Sequence, residues 1–176
     1  QKRKGGNAMK SYIVSALILF CAVLIETAVL SNIAFLPAVP DIVLLCSLYI
    51  SFLNGKTSGE INGFVSGAFL DFLSAAPFGF HCLYRTLIGY VFGALGSVFN
   101  SDGIVMPALY AFGATLLKAF FVWLISLLFP ASPAVYRVLS LPFLFELACN
   151  TILAPLVFKF LSLFRSVLLT ERRSAL

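Results

Sequence analysis

Long apolar stretches broken by short clusters of Pro, Gly, Asn and Ser run the length of this chain, and they predict helices throughout. The first stretch runs from about Ser11 to Leu36 and stops at Pro37, long enough to cross about 30 Å of hydrocarbon at about 1.5 Å per residue. The second opens at Pro40-Asp41 and reaches only Leu53 before Asn54-Gly55-Lys56, about 20 Å of helix and too short to span alone. Irregular backbone at membrane depth needs protein cover. So this segment either starts below the surface in a protein-lined recess or is completed inside the bundle by the following Gly-Lys-Thr-Ser residues. The third stretch covers about Ser58 to Ser74 and the fourth about Gly79 to Asn100, followed by a Ser101-Asp102-Gly103 turn. The fifth, Ile104 to Phe129, holds Trp123; Pro130-Ala131-Ser132-Pro133 ends it. A sixth runs from about Val135 to Leu169, where Pro142 and Pro155 are expected to kink it.

Within the third and fourth stretches the small and charged residues form a mirror. Gly63, Gly67 and Asp71 recur every fourth residue before the Ala75-Ala76-Pro77-Phe78-Gly79 turn, and Arg85, Gly89 and Gly93 do so after it, mirrored about position 78. An antiparallel hairpin with that register pairs Asp71 with Arg85, Gly67 with Gly89 and Gly63 with Gly93. Glycine faces let helices approach closely in lipid, where no hydrophobic force presses them together. Gly59 extends the same stripe. Gly89, Gly93 and Gly96 also suit dimerisation, although the mirrored spacing favours an internal contact.

Composition turns helices into membrane helices. Hydrophobic residues make up 61% of the 176, charged residues 11%, and mean hydropathy is +1.03, against about a quarter charged in soluble domains. The net charge of +5 does not imply nucleic acid, because the basic residues flank the spans: Lys2, Arg3, Lys4 and Lys10 at one end of the chain, Arg165, Arg172 and Arg173 at the other. Lys56 falls in the second-to-third loop and Arg137 alone in the opposite loops. The positive-inside rule then places both termini in the cytoplasm, which six crossings satisfy. The expected architecture is an all-α membrane protein, a single six-helix transmembrane domain over residues 9–170. Gln1 to Ala8 read as a remnant ahead of Met9 or a disordered tail, and residues 171–176 as a cytoplasmic tail.

Five charged residues lie inside the spans, each costing about 2.5–3.5 kcal/mol at a helix centre on insertion scales: Glu26, Asp71, Arg85, Lys118 and Glu146. Asp71 and Arg85 are the expected ion pair, the alternative being that both snorkel to the surface. Lys118 and Glu146 form a plausible second pair. Glu26 has no evident partner: it shares Lys118 or Arg85, is protonated by burial, or faces an external helix. Asp41, after Pro40, either satisfies free N–H groups at a helix start or contacts a partner.

Reactive chemistry is not indicated. Cys21, Cys46, Cys82 and Cys149 sit in apolar segments without metal spacing and read as buried hydrophobes. His81 reads as an interfacial polar residue with no second His to share a metal, so neither a metal nor a cofactor is expected. No Ser-His arrangement or paired catalytic carboxylates are present, and Gly55-Lys56-Thr57 lacks the upstream glycine of a phosphate loop.

Pro40-Asp41 opening an apolar helix, Gly55 after it, then Gly63-Phe64, Gly67, Asp71 and the Pro77-Phe78-Gly79 turn resemble the MreD family of bacterial rod shape-determining membrane proteins. The motifs cover about residues 40 to 95; from Ile104 onward the likeness is only in being apolar. The resemblance implies a non-enzymatic inner-membrane subunit of the cell-elongation machinery, the elongasome. Its implied partner is an MreC-like protein with one span, in an assembly with MreB and with RodA and its penicillin-binding partner, regulating peptidoglycan synthesis. The family is also considered similar in fold to the S-components of energy-coupling-factor vitamin transporters, which supplies the alternative function. An AxxxA docking face is missing from the first span, but Asp71, His81 and Arg85 could line a ligand cavity. Phe120-Phe121-Val122-Trp123 suits either a partner contact or plain lipid.

Overall fold

The computed structural model describes residues 2–33, 37–74, 76–96, 103–128 and 140–170. Among these, every regular element is helical: α1 (Lys2–Leu24), continued by a π-helical turn (Ile25–Val29) and a 3-10 turn (Leu30–Asn32), then α2 (Ile42–Asn54), α3 (Lys56–Leu73), α4 (Phe80–Leu95), α5 (Val105–Leu128), α6 (Leu141–Ser162) and a short α7 (Arg165–Leu168). Three helical stretches are long and apolar enough to cross a membrane, Ala8–Asn32, Val105–Leu127 and Leu141–Ser162, while α2 is a shorter apolar helix. Ala75, residues 97–102, the 129–139 linker with Arg137, and residues 171–176 lie outside the described residues.

The boundaries follow local chemistry. Gly55 alone links α2 to α3, with φ of 85°, a conformation open to glycine at little cost. Pro142 does not kink a helix as expected; it sits in the first turn of α6, where its missing N–H would be unpaired anyway, behind the Ser140 cap. Pro155 does lie inside α6. The sixth stretch is not one helix, since turns at Leu163 and Phe164 separate α6 from α7. In α1 the residues set aside ahead of Met9 are helical from Lys2 onward.

Successive helices run in alternating directions, and several side chains tie their ends together at one end of the bundle. Tyr12 on α1 meets Ser58 on α3 at 3.0 Å, Ser11 donates to the Leu168 carbonyl at 2.6 Å, and Asn54 at the end of α2 donates to the Leu168 carbonyl (2.9 Å) and accepts from the Thr170 N–H (2.7 Å). Phe52 stacks on Tyr110 there, with ring centroids 4.2 Å apart. Lys10, Lys56 and Arg165 belong to this end, hereafter the basic end.

The core centres on α2, which is buried from Val43 to Phe52 and wrapped by α1, α3, α4, α5 and α6. Its 13 residues start at Ile42, behind the Asp41 cap, which lies beside side chains well inside α4, α5 and α6. Of the two alternatives open for this short segment, the recessed start is the observed one.

Glycines join α3 to α4, but in a different register from the expected one. A Cβ on Gly59 would run into the Gly89 carbonyl, and one on Gly89 into the Gly59 carbonyl; Gly63 abuts the Arg85 carbonyl, Gly93 the Gly55 carbonyl, and Gly67 the backbone of His81 and Cys82. The mirror lies at position 74, not 78, so neither Gly63 with Gly93 nor Gly67 with Gly89 is a facing pair. The cause is at the turn: α3 continues to Leu73, and the chain then doubles back so that α4 starts alongside Asp71. The glycine face is not left for a dimer partner; Gly96 too is covered, by Phe52.

Gly59→Ala and Gly89→Ala should each destabilise the protein by about 1–3 kcal/mol, because a methyl placed on a backbone carbonyl forces the helices apart. Gly113→Ala, which would meet only the Phe92 ring at 3.8 Å, should be neutral or stabilising by up to about 1 kcal/mol. Thermal unfolding in detergent micelles checks the contrast.

Candidate functional site

Asp41 is where the bundle's charges converge. Its carboxylate caps α2, accepting from the Leu44 N–H at 2.7 Å, as expected of an acid at a helix start. The same group accepts from Arg85 Nη2 on both oxygens, at 2.7 and 2.8 Å, and from Lys118 Nζ at 2.6 Å. Lys118 also donates to Glu146 Oε1 at 2.6 Å. The Asp41 N–H in turn donates to Asn150 Oδ1 at 2.9 Å, and Asn150 Nδ2 donates to Thr115 Oγ1 at 3.1 Å. Glu26, on the π-helical turn, accepts from the Val43 N–H at 3.1 Å. One network therefore joins the end of α1 to α2, α4, α5 and α6.

Burial decides how strong these contacts are. The side chains of Arg85 and Asp41 are 1% and 2% exposed, those of Lys118 and Glu146 12% and 5%. In so dry a setting opposite charges attract strongly, yet each has lost its hydration, so the net gain is small and the cost of losing one partner is large. The network specifies where five segments meet. Arg85 also lies over the Tyr84 ring, 5.7 Å from its centroid.

Asp71 is not the partner of Arg85. Its carboxylate accepts from the N–H groups of Gly79 (2.9 Å), His81 (2.9 Å) and Cys82 (3.2 Å), and lies 2.7 Å from His81 Nδ1. It caps the N-terminus of α4 from a neighbouring helix, and Gly79 takes φ of 88° to bring those N–H groups round. His81 is held against Asp71 by that contact, with a ring edge towards Phe80.

The sequence pointed to Arg85, Lys118, Glu146 and Glu26 as intramembrane charges and left Asp41 between capping and partner contact; the tertiary structure makes Asp41 their common neighbour. Asn150 and Thr115 were missed. A signal for them existed: Thr115 precedes Lys118 by three residues and Asn150 follows Glu146 by four, so each shares a helix face with a charge. Among the family-motif residues, Asp41 is the centre of the network with Pro40 just ahead of it, Gly55 makes the α2–α3 link, and Pro77 and Gly79 form the hairpin turn. The four cysteines are free thiols; Cys46 is buried, whereas Cys21 lies on the exposed face of α1. Among the described residues no cluster of His, Cys, Asp and Glu is arranged to hold a metal.

A family model described as rod shape-determining protein MreD matches residues 8–164, a span that includes the whole network and the glycine hairpin. No curated protein and no solved structure matches the chain.

Asp41→Asn should cost about 3–5 kcal/mol by stranding Arg85 and weakening the hold on Lys118, against about 1–2 kcal/mol for Asp71→Ala, which removes a cap. In double-mutant cycles Asp41 and Arg85 should show a coupling above about 1.5 kcal/mol, while Asp71 and Arg85 should be additive within about 0.5 kcal/mol. Reversible unfolding in mixed micelles measures both.

Proposed function

Because the chain belongs to the MreD family of rod shape-determining membrane proteins, we propose that it is a non-enzymatic scaffold of the cell-elongation machinery in the bacterial inner membrane. It binds an MreC-like single-span protein and through it influences peptidoglycan synthesis by RodA and its penicillin-binding partner, alongside MreB. The observation that carries this reading is the direction in which its polar groups point. Charge and amide side chains inside the bundle are engaged with one another around Asp41, whereas the lipid-facing surface is apolar. A bundle built in that way offers rigid faces to another membrane segment.

The face we assign to the partner is on α5. Leu109, Phe112, Leu116, Phe120, Trp123 and Leu127 are exposed and recur at intervals of three and four residues, one continuous stripe along the helix. Of the Phe120-Phe121-Val122-Trp123 run only Phe120 and Trp123 belong to it, since Val122 is buried and Phe121 half-buried. A single apolar span fits against such a stripe by side-chain packing, the force that joins helices in lipid. The proposed topology has six crossings with the basic end in the cytoplasm; the meeting of Ser11 and Leu168 at that end, together with Lys10, Lys56 and Arg165, supports it. The vitamin-carrier alternative gains no support from the site, since Asp71 and His81 are taken up in starting α4.

Co-expression with an MreC-like chain and purification through a tag on that chain tests the proposal. The wild-type protein should co-purify, and Phe120→Ala/Trp123→Ala should retain its own yield while recovery in the complex falls by about tenfold, the loss of roughly 1.4 kcal/mol of contact. Absence of co-purification by the wild type, or tight vitamin binding by calorimetry, would overturn it.

A further inference from the structure

Two features of the network stand outside its balance of pairs. Arg85 uses only Nη2 on Asp41; its Nε and Nη1 are buried and donate to nothing among the described residues. Buried donors of a charged group seldom go unanswered. Glu26 is the complementary case, an acid with a carboxylate on one backbone N–H, that of Val43, and with no ion pair within 4 Å among the described residues. The charged groups acting on it are Asp41 on α2, Arg85 on α4 and Lys118 on α5, with Glu146 on α6 behind Lys118. Contacts lead from one to the other: Glu26 sits on Val43 N–H, the next amide, Leu44 N–H, holds Asp41, and Asp41 holds Arg85.

The backbone under Glu26 is the third observation. Ile25–Val29 is π-helical, between the α-helical run of α1 and a 3-10 turn, so the winding changes twice within eight residues. Polar side chains back-bond to carbonyls there, Thr27 to Val23 at 2.7 Å and Asn32 to Ala28 at 2.8 Å, which supports a backbone departing from regular α geometry. A π turn is an α-helix with one residue too many, and losing it rotates the downstream end of the helix by about 100°.

We propose that Glu26 is the movable member of the network, exchanging between the Val43 N–H and the open edge of Arg85, and that the π turn is the joint that carries this exchange to the end of α1. Moving to Arg85 gives up one amide hydrogen bond and satisfies two charged donors. The observed position is favoured by the positive N-terminal end of α2 and by the repulsion of Asp41, already seated on the other side of the guanidinium. With the two positions so opposed, a contact at the end of α1 farthest from the basic end shifts the start of α2, and the reverse. The exchange belongs to the bundle itself and does not depend on which partner the α5 stripe receives.

The test uses the full chain in nanodiscs, with Cys21, Cys46, Cys82 and Cys149 replaced by alanine and spin labels at Ile33 and Phe78, both exposed at that end. The labelled parent should show two distance populations. Val43→Pro removes the competing N–H at a first-turn position where proline is tolerated, and should at least double the minor population; Glu26→Gln should abolish it. A single population, unchanged in both variants, overturns the proposal. Hydrogen exchange gives a reading that needs only Glu26→Gln: a neutral amide gains little from the guanidinium, stays on Val43, and should slow exchange of that amide by about fivefold. An equal or faster rate also overturns it.

Discussion

A carboxylate that starts a helix in the middle of a membrane protein sets the terms for everything around it. Asp41 cannot remain ionised there without donors, and it is held from four directions: by the Leu44 amide, Arg85, Lys118, and, through its own N–H, the orienting Asn150. Each of these comes from a different segment, so satisfying one buried group fixes the mutual placement of α2, α4, α5 and α6. The dry interior makes the arrangement specific rather than merely stable, since any displacement strands a charge.

The short length of α2 and the glycine hairpin belong to the same arrangement. A helix of 13 residues leaves its N-terminus at depth, where free N–H groups need acceptors, and Asp41 and Glu26 supply them. α4 has to bring Arg85 to that depth while lying against α3. Glycine at 59, 63, 67, 89 and 93 lets the backbones touch, and the Asp71 cap starts α4 beside α3 rather than beyond it. The cap and the network thus use two acids for two jobs that looked, from spacing alone, like one ion pair.

For a protein of the MreD family, a core organised by charge and an exterior organised by apolar stripes separate two requirements. Inward groups hold the bundle together without a large hydrophobic contribution, which lipid denies them. Outward groups are then free to be selected for contact with other membrane segments. α5 shows both: Thr115 and Lys118 turn into the network while Phe112, Leu116, Phe120 and Trp123 turn out.

The membrane setting, the helical content and the small-residue contact between α3 and α4 were legible from residue order, because hydropathy and glycine spacing are local properties of one or two segments. The Lys118–Glu146 contact was legible too, from their similar distances to the loop between them, whereas the start of α2 at Asp41 was left between two alternatives. The partners of Asp41, Asp71 and Arg85 were not legible. Which cation an acid meets depends on where each helix starts along the bundle axis, and that offset is set by loop paths such as the doubling back between Leu73 and Phe80, whose length in residues does not reveal its direction. An eight-residue shift in the pairing of α4 with α3, about two turns, was enough to give Arg85 to Asp41 and leave Asp71 to cap a helix; only the packed bundle contains that information.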